Sequence, residues 1–448
     1  MVSARAAALH ALVALEKGQT ERLRSALDEA KLVGREQALA FELAHGVLRR
    51  ERFLDHVLAP FAHRGLPKEA PLRSALRLGA YQLMFVGGMP AHAAVHETVD
   101  LVRSNKGFAN ALLRRVADCV ELRPADPNHP TTQFPLSPTR SVLLPQPLPE
   151  NEIERLGIVH SLPYFLLQRW TKDFGVEGLR QIAEAASAVP GVFLRAVGIS
   201  RDELLAELTA AEVQCELCEN PRQLLWTGGN SPFGSKAFAA GKFVVQDPTA
   251  LAAAEAVPCK PGDTVVDLCA APGTKTSLLA ERVRPAGGAV GGMVHAFDID
   301  SERSHLIHQN VVRLGLQEFV RIARSASQLP VADAVLADVP CSNSGVLGRR
   351  VEVRRRLTGT TISRLVIDQK RLLVQAINLC KPGGHVVYST CSIDREENDG
   401  VVDAVLGTPG VPPCEVLSRH LTLPLAGKHD GGFYAVLRRA LPASPGDG

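Results

Sequence analysis

From about residue 241 onward, short apolar stretches that resemble β-strands alternate with stretches that resemble helices. Parallel strands need a crossover between them, usually a helix, so this alternation indicates a mainly parallel sheet covered by helices. Ligands of such α/β sheets bind beyond the carboxyl ends of the strands, and we expect the chemistry at that edge. The predicted strands are Thr264–Leu268, Val294–Phe297, Phe319–Ile322, Ala334–Ala337, His385–Ser389 and Phe433–Arg438.

Residues 1–124 follow a helical pattern instead. Apolar residues recur at three and four positions, as in Ala6, Leu9 and Leu12, which predicts an all-α bundle of about five to seven helices. The whole chain carries a net charge of only +3, yet residues 1–125 hold 18 Lys and Arg against 13 Asp and Glu. The N-terminal region is therefore the better electrostatic candidate for contact with a polyanion.

The segment between these regions is rich in proline, with eight prolines in residues 124–149. Proline fixes φ and removes a backbone donor, so we expect residues 125–149 to form an extended linker. The pattern of residues 150–240 predicts a small α+β unit, with a strand at 192–197 and a helix capped by Ser200. The α/β domain then covers 241–440, and 441–448 form a tail. The predicted chain is thus multidomain, with three folded units.

The composition excludes several classes of protein. With 46% hydrophobic and 22% charged residues, the chain is not collagen-like, a coiled coil or wholly disordered. No apolar run is long enough for a membrane span, and the start lacks the apolar core of a secretory signal. The odd number of cysteines, nine, argues against a disulfide framework and for a reducing cytoplasm. Cys215 and Cys218 have no second pair, so a surface turn is favoured over a zinc site.

A candidate cofactor loop runs from Thr264 to Thr276. It ends a predicted strand, turns through small residues and opens a helix, so a ligand could approach the backbone and meet free N–H groups. About 25 residues further on, Asp298 ends the next strand, where it could accept hydrogen bonds from a ribose diol or simply cap a helix. Since the G-x-G-x-x-G spacing is absent, a single adenosine-bearing cofactor is favoured over a dinucleotide.

Two cysteines follow predicted strands at the same edge, in Asp338-Val-Pro-Cys341-Ser and Ser-Thr-Cys391-Ser. A cysteine at such a position can serve as a nucleophile or take part in proton transfer, although a lone cysteine is more often a small buried apolar residue.

The motifs D-x-C-A-A-P-G-x-K-T, P-C-S and T-C-S resemble those of the Nol/Nop/Sun family of 5-methylcytosine RNA methyltransferases. The resemblance implies a Rossmann-like fold that uses S-adenosyl-L-methionine to methylate cytosine C5. That carbon is a poor nucleophile, but a thiolate that adds to C6 makes it enamine-like, and a base must then remove the C5 proton before the thiolate leaves. The resemblance makes Cys391 the nucleophile and has Cys341 assist proton removal and release. It also implies that Asp338 contacts the base and that Lys275 lies near the reacting ring. The implied cofactor-binding residues are Cys269, Ala270, Ala271, Pro272, Gly273, Thr274, Lys275, Asp298 and Asp338.

Five arginines lie between Arg349 and Arg356, shortly after Cys341. Such a cluster could bind RNA phosphates with salt-dependent affinity, and a solvated helix start is the alternative. We predict RNA contacts for Arg349, Arg350 and Arg354. The segment departs from the family pattern at Gly348, Arg350 and Val351.

One further departure concerns the cofactor. Arg324 stands where the family usually has an aspartate that contacts the adenine amine. We expect weaker cofactor affinity, or another group in that place.

The helical region resembles the NusB antitermination-factor fold in Ala75–Leu83, Pro90–Glu97 and Lys106–Arg115. That resemblance implies RNA binding. Asn110 and Arg114 are four residues apart on one helix face, with Arg115 beside them.

Together the two resemblances imply a monomer that methylates a cytosine of 16S ribosomal RNA, free or in an assembling small subunit. Two alternatives stay open at this point. One is a non-catalytic RNA-binding or assembly factor that retains the fold, which Arg324 motivates. The other is a methyltransferase acting on another RNA, such as transfer RNA.

Overall fold

A computed structural model describes residues 2–284 and 291–442. The chain divides into two compact units, the first made of residues 1–187 with 347–356 and the second of 188–346 with 357–448. This division differs from the predicted one, since residues 150–187 join the helical unit and 188–240 join the α/β unit. Most of the predicted tail, 443–448, lies outside the described residues.

The first unit begins with a helical bundle, as the periodicity predicts. Ser3 caps the first helix by accepting a hydrogen bond from the Ala6 N–H at 3.2 Å, and the buried faces of the helices form one apolar core. In the described residues 2–118 there are seven α-helices: α1 Ala4–Glu16, α2 Leu23–Asp28, α3 Gly34–Arg49, α4 Glu51–Leu58, α5 Ala70–Phe85, α6 Ala91–Leu101 and α7 Lys106–Asp118.

The proline-rich segment is not the extended linker that we predicted. It contributes to a three-stranded antiparallel sheet of β1 Val120–Glu121, β2 Gln133–Ser137 and β3 Arg140–Leu143, in the order β1-β3-β2. Pro135 lies in an edge strand, where a missing N–H is tolerated. Val142 and Leu144 are buried in the helical core, and this apolar burial holds the segment in place.

The first unit is completed by α8 Glu152–Val159, α9 Tyr164–Ser187 and the short α15 Val353–Arg356. Gly175 interrupts α9 with φ 71° and ψ −178°. This positive φ suits glycine, and it divides the element into two helical segments.

The second unit contains a four-stranded antiparallel sheet in the order β5-β6-β4-β7. The predicted cap is present: Ser200 and Glu203 form a reciprocal capping box at the start of α10. The elements are β4 Val192–Ala196, α10 Arg201–Ala210, β5 Val213–Leu217, β6 Gln223–Gly229, α11 Lys236–Ala239 and β7 Phe243–Val245.

The same unit contains a seven-stranded sheet in the order β10-β9-β8-β11-β12-β14-β13. The first five strands run parallel, and β14 runs antiparallel to both of its neighbours, β12 and β13. This order confirms the predicted Rossmann-like architecture. The elements are α12 Pro248–Glu255, β8 Thr264–Asp267, α13 Thr274–Val283, β9 Met293–Ala296, α14 Ser301–Arg313, β10 Val320–Ile322, β11 Ala332–Asp338, α16 Gly359–Leu379, β12 Cys380–Thr390, α17 Asp399–Leu406, β13 Cys414–Thr422 and β14 Gly432–Arg439.

The sheet is buried on both faces. Val266, Val335 and Val386 belong to one apolar cluster, and Val265 and Val387 belong to another, as expected for strands whose alternate residues pack under helices on opposite sides. No helix in the described part of the chain is long and apolar enough to span a membrane.

Candidate active site

The candidate cofactor loop follows β8, as predicted. The Ala270 N–H donates to the Phe297 carbonyl at 2.9 Å, and the Ala271 N–H donates to Asp298 Oδ2 at 3.1 Å. Arg303 on α14 donates to the Ala271 carbonyl at 2.9 Å. Asp298 thus holds the loop to the next strand, and its carboxylate lies at the edge where the ribose contact is predicted.

The start of α13 fits the carboxylate-bearing end of S-adenosylmethionine. Its N-cap is Gly273, in the left-handed region with φ 96°, and no side chain caps the helix. The first N–H groups of this ten-residue helix therefore lack a side-chain acceptor. They form the positive end of the helix dipole. An anionic ligand group suits this position.

Asp267 ends β8 beneath the loop. Thr276 donates to its Oδ2 at 2.7 Å, while its buried Oδ1 has no hydrogen-bond partner among the described residues. Burial raises the pKa of Asp267 to about 7, since a carboxylate is poorly solvated there. Burial likewise raises the pKa of the Cys269 thiol.

Lys275 and Asp338 form an ion pair at the carboxyl ends of β8 and β11. Lys275 Nζ donates to Asp338 Oδ2 at 2.5 Å, and Ser389 Oγ donates to Asp338 Oδ1 at 2.6 Å. Burial alone would lower the pKa of Lys275, but the charge and hydrogen bond of Asp338 raise it above its ordinary value. Lys275 therefore keeps its positive charge at neutral pH. Ser389, which our sequence reasoning missed, could have been suspected from its place two residues before Cys391.

The two predicted catalytic cysteines are neighbours. Cys341 Sγ lies 3.0 Å from Cys391 Sγ, and the Cys391 thiol donates to Asn343 Oδ1 at 3.4 Å. The hydrogen bond with Cys391 and burial raise the pKa of Cys341 well above its ordinary value. The fold thus brings together two thiols that are 50 positions apart in sequence.

A cavity of about 100 Å³ opens beside these groups, and Lys275, Asp338 and Cys391 line it together with Thr249 and Phe433. Pockets for drug-sized ligands span about 300–1,000 Å³, so this cavity suits a single ring and not a whole nucleotide.

Three chain segments meet behind Cys391 through glycines. The Gly345 N–H donates to the Cys391 carbonyl at 3.0 Å, and the Gly431 N–H donates to the Gly345 carbonyl at 2.8 Å. A Cβ on Gly345 would lie 2.6 Å from the Gly431 carbonyl carbon and oxygen and 2.9 Å from the Cys391 oxygen. Only glycine permits this backbone approach.

Gly345→Ala is accordingly expected to lower kcat by about 100-fold, because the added methyl group must push the Cys391 backbone away from the cavity. Gly359→Ala is the matched control, since a Cβ there meets nothing within 4 Å. Steady-state methylation kinetics of the two variants test this. Equal kcat values would show that the glycine contact does not position Cys391.

Arg354 is not available to RNA, contrary to our prediction. It is 4% exposed, and its guanidinium donates to the carbonyls of Arg49, His160, Ala186 and Leu347 at 2.7–3.3 Å. Three of these carbonyls lie at the C-terminal ends of α3, α8 and α9, where helices leave acceptors unpaired and carry negative partial charge. Burial lowers the pKa of Arg354 to about 9.

The rest of the arginine cluster lies in the first unit with Arg354. Arg349 and Arg350 are half-buried, so their predicted contact with RNA stays a prediction. Arg355 forms two hydrogen bonds to Glu51, at 2.8 and 2.5 Å. Counting charges in a sequence does not reveal such internal partners.

On α7, Arg114 and Arg115 are exposed and Asn110 is half-buried. Asn110 and Arg114 line a groove of about 810 Å³ against α6. The groove wall also carries Glu97 and Asp100, which weaken its attraction for phosphate. RNA binding by these three residues also stays a prediction.

Arg324 follows β10 and is exposed, with its backbone N–H donating to Gln328 Oε1 at 2.8 Å. In the described residues no cluster of three His, Cys, Asp or Glu side chains could hold a metal ion.

Comparison with known proteins gives matches over nearly the whole chain. Residues 254–437 match the family model described as 16S rRNA methyltransferase RsmB/F, and residues 2–118 match the NusB family. The ribosomal RNA small subunit methyltransferase B of Thermus thermophilus is 31% identical to this chain. The match covers 97% of this chain and 97% of that protein.

Solved structures are also similar to this chain. The crystal structure of PH0851 superposes with a TM-score of 0.74 at 24% identity, covering 98% of this chain and 99% of that one. A methyltransferase homologue from Pyrococcus horikoshii gives a TM-score of 0.54 at 26% identity, covering 64% of this chain and 96% of that one.

Proposed function

The chain belongs to the family of ribosomal RNA small subunit methyltransferase B, and from that premise we propose that it methylates C5 of a cytosine in 16S ribosomal RNA. The observation that carries the proposal is the cluster of two thiols 3.0 Å apart, with the Lys275–Asp338 pair beside the same small cavity. The cofactor is S-adenosyl-L-methionine, which supplies a methyl group from its sulfonium. The residues suited to hold it are the loop 269–275 and Asp298.

The proposed reaction begins with the addition of Cys391 to C6 of the flipped cytosine. The thiolate forms a C–S bond, and the C5–C6 π electrons move toward N3, so that C5 becomes nucleophilic. We propose that Asp338, held by Lys275 and Ser389, lies beside N3 and accepts a hydrogen bond from the N4 amino group of the base. A carboxylate at this edge of the base favours cytosine, because the N4 amino group of cytosine is a hydrogen-bond donor.

After C5 is methylated, its proton must leave before the product is released. Cys341 is the group proposed to assist this step, because its sulfur lies against Cys391. Removal of the C5 proton restores the C5–C6 double bond and expels the Cys391 thiolate. The cavity's size supports a base that is taken out of its stack, which single-stranded or remodelled RNA permits most easily.

The first unit supports a role in RNA binding through its NusB-like helices, with Asn110, Arg114 and Arg115 as the proposed contacts. We propose further that the protein works as a monomer and in the cytoplasm, where both thiols stay reduced. A non-catalytic RNA-binding factor is the second candidate, because the arginine at position 324 replaces the expected acidic contact with adenine.

One assay separates these functions. The purified protein is incubated with methyl-labelled cofactor and either unmethylated 16S RNA, assembling small subunits or transfer RNA, and methylated cytosines are mapped by bisulfite resistance. We expect label at a 16S cytosine. RNA binding with no incorporation would establish the non-catalytic factor, and label only in transfer RNA would overturn the substrate.

A further inference from the structure

Glu397 is buried and takes no part in the proposed chemistry. It is 0% exposed, and among the described residues no lysine or arginine pairs with it. A buried carboxylate without a cation is costly unless hydrogen bonds replace its water. Its presence therefore calls for a role beyond stability.

The hydrogen bonds of Glu397 reach the loops of both cysteines. Its Oε1 accepts from the Ser342 N–H at 2.8 Å, and its Oε2 accepts from Ser392 Oγ at 2.6 Å. Ser342 follows Cys341 and Ser392 follows Cys391 directly. One carboxylate thus joins the residues next to the two thiols.

Further bonds keep this carboxylate in place. Gln369 on α16 donates to Oε1 at 2.8 Å, and the Tyr388 hydroxyl donates to the Glu397 carbonyl at 2.6 Å. The two serine hydroxyls also contact each other, with Ser342 Oγ donating to Ser392 Oγ at 3.2 Å. Three donors therefore reach the carboxylate itself, namely the Ser342 N–H, Gln369 Nε2 and Ser392 Oγ.

We propose that Glu397 is a positioning residue that fixes the Cys341 loop against the Cys391 loop and keeps the proton on the Cys341 sulfur. During product release that proton passes to the departing Cys391 sulfur, 3.0 Å away, and Cys341 takes the C5 proton in its place. The positioning role follows from the carboxylate that both loops share. The effect on the Cys341 proton follows from charge, because the negative Glu397 disfavours a second negative charge on Cys341. The titratable groups that interact with Cys341 are Cys391, Glu397 and Tyr388. The hydrogen bond with Cys391 and burial raise the pKa of Cys341 most, and the charge of Glu397 raises it further.

The proposal rests on the proposed function for its catalytic part, but its electrostatic part can be measured without RNA or cofactor. In a Cys391→Ser background, alkylation of Cys341 by iodoacetamide is followed against pH by mass spectrometry of the peptide. Adding Glu397→Gln should lower the midpoint by roughly one pH unit, since one negative charge is removed. Glu396→Gln in the same background is the matched control, because Glu396 is adjacent and exposed. Equal midpoints for the two variants would overturn the electrostatic part.

The catalytic part is tested with Glu397→Gln in the otherwise wild-type protein. We expect kcat to fall about 10- to 100-fold with KM little changed, and covalent RNA adduct to accumulate, because a displaced Cys341 releases the product slowly. An unchanged kcat would overturn it. If Glu397→Gln does not fold, Ser392→Ala, which removes the hydroxyl that donates to Glu397 Oε2, is assayed in its place. A wild-type protein that fails to methylate would instead refute the proposed function, with the alkylation result still valid.

Discussion

Replacing Cys391 by alanine is expected to reduce methyl transfer on the order of 10⁴-fold or more, the scale on which loss of a catalytic nucleophile lowers kcat. Without its thiolate no bond to C6 forms, and C5 remains too weak a nucleophile to react. No covalent RNA adduct should be detectable on denaturing gels with this variant.

Cys341→Ala should behave in the opposite way on the same gels. Cys391 can still add to C6, but removal of the C5 proton and release of the product are slowed, by about 10²- to 10⁴-fold for a lost proton-transfer group. The covalent adduct should therefore accumulate. Cys259→Ala, at a half-buried cysteine of the same unit outside the candidate site, is the control and should turn over normally. An adduct with Cys391→Ala, and none with Cys341→Ala, would reverse the two roles.

Arg354→Met is expected to destabilise the protein by about 3–5 kcal/mol, because each buried acceptor left unpaired costs about 1–3 kcal/mol. The change leaves four carbonyls without their donor, and three of them lie at helix C-termini. Thermal unfolding measures the loss, and RNA affinity of the folded fraction should be unchanged, because the side chain is buried.

The control for this prediction lies two residues away. Arg356 is exposed and pairs with Glu21 at 3.3 Å, so Arg356→Met should change the free energy of unfolding by no more than about 0.5 kcal/mol. If Arg354→Met kept full stability but bound RNA more weakly, Arg354 would be a phosphate contact after all, as its place in the arginine cluster first indicated.

The catalytic cysteines and Arg354 differ in how far the local sequence was sufficient to predict their role. The strands that end at Asp267, at Asp338 and just before Cys391 were predictable because apolar runs followed by small or polar residues are a local signal. The α10 cap at Ser200 was predictable for the same reason. Arg354 was mispredicted because its partners come from residues 49, 160 and 186, and charge clustering does not indicate burial.

The proline-rich segment was mispredicted for a related reason. Proline count correctly indicated that 125–149 is not helical, but β2 and β3 pair with each other and β3 with β1. Strand pairing and the burial of Val142 are set by partners outside the local pattern. Glu397 escaped notice because a glutamate is mostly exposed, and only the folded chain shows three donors around it.

The sequence by itself determined the α/β class, the helical N-terminal region, the cofactor loop and the two cysteines suited to cytosine chemistry, because each depends on residues close together in the chain. Tertiary structure alone decided that the two sulfurs lie 3.0 Å apart, that Gly345 and Gly431 bring three loops into contact, that Arg354 serves the helix ends and that Glu397 joins the cysteine loops. Distances between groups far apart in sequence follow from packing and strand order, which no local pattern encodes.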